Sequence, residues 1–149
     1  MESLHPMVVH FPVALLLAAL VIETLAILLG KAAWHRVSLW NLVLGTMGAA
    51  VAVLTGRLAM TAAKHSMEIY RVMQLHERLG YVVLGLAVTV IGWRFSTRDR
   101  LSNRSRRAAW FLLAVACGTM AFAAHLGGRL VYEFGVGGIY GRAHGIQIQ

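Results

Sequence analysis

The sequence predicts an all-α integral membrane four-helix bundle with up-down topology and both termini outside. Three observations carry that expectation. The chain is 58% hydrophobic and only 13% charged, with a mean hydropathy of +0.67, whereas soluble domains are about half apolar and about a quarter charged. The excess is gathered into four long runs, each near or above the ~20 residues that a helix needs to cross the hydrocarbon layer. Charged and aromatic residues are sorted by which ends of those runs they flank. At 149 residues the chain is one domain, 1–149.

The first run covers about 7–29. Its leading tail has no Lys or Arg, Glu2 is acidic, and no small-residue cleavage site leads into a soluble domain. It therefore reads as a retained helix and not a signal peptide. The next runs cover about 37–63, 76–95 and 107–133. None alternates as a transmembrane strand would. Residues 134–149, rich in glycine, read as a flexible tail or as a segment that docks on a neighbouring subunit. The single cysteine, Cys117, lies in the fourth run, and no C-x-x-C-H haem-attachment motif is present.

A net charge of +8 raises the question of nucleic acid, but its distribution answers it. Lys31 and Arg36 flank the first loop, and Arg94, Arg98, Arg100, Arg104, Arg106 and Arg107 surround the third. This is the positive-inside pattern, which places those loops in the cytoplasm and predicts no nucleic-acid partner. Trp34, Trp40, Trp93 and Trp110 fall at the same ends, with Tyr70, Tyr81, Tyr132 and Tyr140 at or near the others. The location expected is a bacterial cytoplasmic (inner) membrane, with periplasmic N- and C-termini.

The end of the second run, TGRLAM from Thr55, echoes GGRLVY from Gly127 in the fourth. Each follows a helix that begins near a histidine, His10 or His76. The halves then read as related hairpins about an axis along the membrane normal.

Up-down topology gathers His5, His10, His65, His76 and His125 at the outer side, from four different helices. His35 lies inside and His144 in the tail. Intramembrane polar side chains are costly and face the bundle interior. A lone imidazole would simply bond a neighbouring helix, but a cluster from four helices points to ligation. On depth and small neighbours the leading ligands are His10, His76 and His125, then His5, with His65 lower. Gly118, Ala121, His125 and Gly128 share one helix face, which suits close helix packing or a flat macrocycle. Arg57 and Arg129 lie near the outer helix ends and could grip haem propionates. The alternatives are snorkelling to water or pairing with Glu77 or Glu133. Glu23 lies toward the inner half of the first helix, where desolvation favours its neutral form. It would bond Thr24 or a neighbouring helix, or take a proton from a quinol.

Three stretches carry a resemblance: HPMVVHFPVALL, LHERLG from Leu75, and HLGGRLVY from His125. Together they resemble a bacterial family of small four-helix membrane proteins of unknown function with an H-P-x-x-V-H-F-P opening. The likeness spans nearly the whole chain, and the family's motif histidines fall on His5, His10, His76 and His125. Members joined to c-type cytochrome modules imply redox work.

The expected function is therefore a b-type haem protein for electron transfer at the periplasmic side. Bis-histidine iron would be held between facing helices, with one or two haems b per chain. The chain would be a subunit of a larger redox complex and not a stand-alone enzyme, with no catalytic residue of its own. Its partners would be the lipid bilayer, other subunits or a periplasmic c-type cytochrome, and a quinone. Two rivals stand beside it. A copper or zinc site could use the histidines with Met67 and Met73 of the second loop, although methionine is also ordinary apolar filler. A structural or assembly subunit would need no cofactor. No helix shows the polar mid-membrane break of a transporter.

Overall fold

The computed structural model describes residues 5, 8–61 and 67–136, with side chains at 59–61 excepted. His65, His144, Tyr140 and nearly all of the glycine-rich tail lie outside the described residues. Among the described residues four long helices stand out: α1 (His10–Leu29), α2 (Ala32–Thr61), α3 (Met67–Ser96) and α4 (Asn103–Tyr132). All are long and apolar enough to cross a membrane, and the fold is an all-α membrane bundle.

Three helices begin earlier than their apolar runs suggest, at Ala32, Met67 and Asn103. Hydropathy reports only the stretch that suits hydrocarbon. The polar first turns, such as NRSRR in α4, remain good helix formers and extend the helices to the headgroup level.

The turns explain the tight hairpins. Gly30 closes α1 with φ +63°, and its N–H bonds the Ala26 carbonyl, the left-handed cap that glycine adopts at no steric cost. Between α3 and α4, Arg98 and Asp99 take φ +50° and +57°, which costs L-residues about 1–2 kcal/mol each. The Asp99 carboxylate offsets this by accepting from Arg94 Nε at 2.9 Å and Nη2 at 3.1 Å. Ser102 then caps α4, its hydroxyl accepting from the Ser105 N–H at 3.2 Å.

The internal repeat is real, and its period is 71 residues. Shifted by that amount, α2 (Ala32–Thr61) falls end for end on α4 (Asn103–Tyr132). Buried positions fall on buried positions: Leu16 on Ala87, Ala19 on Val90, Leu42 on Leu113, Ala49 on Met120, Ala52 on Ala123. The helices pack in a ring, most closely within each hairpin, then α2 on α3 and α1 on α4. Helices α1 and α3 are thus equivalents across a pseudo-two-fold axis running along the bundle.

Near the basic end the repeat changes charge. Glu23 and Arg94 occupy equivalent positions, are both buried, and meet at 3.2 Å. His35 and Arg106 are also equivalents, and both reach the other oxygen of Glu23, at 2.9 and 3.3 Å. Arg94 further donates to the His35 carbonyl and to Asp99. Glu23 is therefore the hub of an ion cluster: of its two expected partners it takes the neighbouring helices and not Thr24. The Thr24 hydroxyl instead accepts from Trp110 Nε1 at 2.8 Å.

Removing one partner of such a pair leaves an uncompensated charge and costs about 3–5 kcal/mol. Glu23→Leu should destabilise the chain by about that much in detergent unfolding titrations. Glu23→Leu with Arg94→Leu should recover part of the loss. A double variant as unstable as the sum of its parents would show that the two side chains act independently.

Candidate functional site

At the other end of the axis the repeat keeps its residue. The period sets His5 on His76, not His10 on His76 as the motif comparison suggested. Their rings lie 6.2 Å apart between centroids, at an interplanar angle of 89°.

Each ring is held by its own half of the chain. His76 Nδ1 lies 2.8 Å from the Ala123 carbonyl, which can only accept, so Nδ1 carries the proton. His5 Nδ1 lies 3.2 Å from the Thr55 hydroxyl. That hydroxyl directs its hydrogen to the Val51 and Ala52 carbonyls at 3.0 Å and so accepts from His5. With Nδ1 protonated, the neutral imidazole keeps its lone pair on Nε2. Both histidines are thus arranged as metal-binding histidines are, one nitrogen bound to the protein and the other available.

Two glycines make room for the rings. A Cβ at Gly56 would come 3.1 Å from His5 Cε1, and one at Gly127 would come 3.2 Å from His76 Cε1. These glycines are again one period apart. The donor set and the glycine seats suit a haem iron or a single soft ion between the rings. Among the described residues no three His, Cys, Asp or Glu side chains form a group that could hold a metal ion.

The other expected ligands lie elsewhere. His10 opens α1 and is exposed. His125 is exposed on α4, two residues and so about 200° around the helix from buried Ala123. Its companions Gly118 and Gly128 have nothing within 4 Å of a Cβ position, so that small-residue face looks outward. His65 is outside the described residues.

The two arginines take carboxylate partners. Arg57 pairs with Glu77 at 3.6 Å and donates to the Tyr81 hydroxyl at 3.3 Å. Arg129 binds Glu133 on its own helix at 2.8 Å. Arg57 and Arg129 are 72 residues apart, one more than the period, so they sit on different sides of their helices.

Sequence reasoning missed the Arg94–Glu23 cluster because Arg94 was counted with the loop charges. The signal was available in the common spacing of Glu23 with Arg94 and of His35 with Arg106. It also ranked His5 below His10, since the rank followed depth in the membrane.

His5 precedes α1, and burial holds its imidazole below the usual histidine pKa, with the neighbouring His76 adding to the effect. Its contribution to stability is therefore present above the unfolded-state value of about 6.5 and is lost as pH falls through the lowered native one. The unfolding temperature should drop between pH 7.5 and pH 5, and His5→Gln should shrink that drop. An equal drop in both proteins would mean that other groups govern the acid response.

No curated protein and no solved structure matches the chain. A family model described as "Predicted membrane protein (DUF2231)" matches residues 1–139. With that match covering nearly the whole four-helix bundle, the chain belongs to the DUF2231 family of predicted membrane proteins.

Proposed function

We propose that the chain is a membrane-embedded b-type haem protein that transfers electrons at the periplasmic face of a bacterial inner membrane. It would act within a larger redox complex whose partner is a c-type cytochrome or a quinone. The observation that carries this reading is the His5–His76 pair. Two equivalent imidazoles, each with Nδ1 engaged, meet across the axis at 6.2 Å.

In this reading His5 and His76 hold the iron. Thr55 and the Ala123 carbonyl fix the tautomers, and Gly56 and Gly127 let each ring lie against a helix backbone. Bound haem supplies a one-electron couple tuned by its axial ligands. Two imidazoles leave no axial position open, which suits electron transfer over oxygen binding.

The closeness of the rings favours one further reading. Metal–nitrogen bonds of about 2 Å each, with the two ring radii, span about 6 Å, so a single copper(I) ion also fits the pair. Imidazole is an accepted copper ligand.

Purification in mild detergent from haem-supplied cells, followed by oxidised and dithionite-reduced spectra and a pyridine haemochrome assay, tests both readings. The expected result is about one haem b per chain. His5→Ala or His76→Ala should abolish the signal, whereas His125→Ala should retain it. A colourless protein with stoichiometric copper would replace haem by the ion. A protein with neither would leave an assembly subunit.

A further inference from the structure

Beside the ion cluster, a cleft of about 270 Å³ opens between the α1–α2 turn and the start of α4. Its apolar wall includes Ala26 and Ile27, and its polar wall is His35, Asn103, Arg106 and Arg107. No acidic residue lines it. Arg106 and Arg94 are balanced inside the protein by Glu23 and Asp99. Arg107 is exposed and has no ion-pair partner among the described residues. His35 spends Nδ1 on Glu23 and lines the cleft with its ring. The cleft thus offers an uncompensated guanidinium and an amide above an apolar floor.

We infer that this cleft binds a phosphate group, and that the phosphate belongs to an anionic phospholipid. A guanidinium matches phosphate oxygens with paired donors. Basic pockets between transmembrane helices at the positive end are suited to anionic headgroups. The apolar wall at the end of α1 continues into the membrane-spanning surface, where acyl chains would lie. A quinone head fits the lining less well. The net positive charge would go unanswered, and His76 is 18 residues from Arg94 along α3, about 27 Å at 1.5 Å per residue, too far for the histidine pair to touch a ligand here. This inference is independent of the haem reading.

The test uses the full chain in mild detergent. Native mass spectrometry would count bound lipid after exchange with phosphatidylglycerol or phosphatidylcholine, and thermal unfolding would follow addition of each lipid or of inorganic phosphate. Retention of phosphatidylglycerol should exceed that of phosphatidylcholine by about fivefold or more. Arg107→Gln, which leaves the ion cluster intact, should erase most of that preference. Arg104→Gln removes an exposed charge of the same end that does not line the cleft, and it should keep the preference. Stabilisation by inorganic phosphate that Arg107→Gln abolishes, with no preference between lipids, would support the phosphate site and overturn the lipid as its source. Equal retention of the two lipids without a phosphate effect, or equal loss in both variants, would overturn the site itself.

Discussion

Everything at the basic end depends on Glu23 meeting Arg94. An arginine side chain only 2% exposed and a glutamate only 4% exposed are tolerable within a membrane bundle because each answers the other. Their placement follows from the repeat. A residue on a pseudo-two-fold axis faces its own equivalent. Two glutamates there would repel, and so would two arginines, so the halves had to diverge at this position. Leucines face no such conflict, and Leu42 and Leu113 remain identical and buried. His35 and Arg106 extend the divergence by one more pair, both turned toward the single carboxylate.

The histidine end resolves the same geometry in the opposite way. His5 and His76 stay identical although they face one another. With both Nδ1 atoms bonded to the protein, neither ring has a proton to offer the other. Their perpendicular, edge-on contact is an ordinary packing of aromatic rings, and the proposed haem or copper ion would add ligation to it through rings whose Nδ1 atoms are already engaged.

The fold was legible because burial in a membrane writes itself as long apolar runs, and the loop charges gave the up-down arrangement. The helix starts were less legible, since the polar turns of α2, α3 and α4 carry helix without hydropathy. The site was half legible. Topology placed five histidines at one end in the expectation; the structure brings His5 and His76 together, His65 lies outside the described residues, and which two meet depends on helix phase. One residue of register rotates a side chain by about 100°. The TGRL and GGRL motifs align at 72 residues, whereas the packing repeats at 71. That single residue places Arg57 and Arg129 on different sides of their helices, so that Arg57 reaches α3 while Arg129 bonds its own helix.

The division of labour between the halves bears on how the site comes into being. Thr55 and Gly56 seat His5 within the first half, and Ala123 and Gly127 seat His76 within the second. These supports are local and need only one hairpin. The ion cluster needs both, because Glu23 comes from the first half and Arg94, Asp99 and Arg106 come from the second. A single hairpin would carry a seated but solitary imidazole at one end and only part of the ion cluster at the other, Glu23 with His35 in the first half and Arg94 and Arg106 with Asp99 in the second. Docking the hairpins pairs the charges, and the same rigid-body step brings the two prepared rings together across the axis. The two imidazoles and the two buried charges are therefore brought together by the same docking of the hairpins.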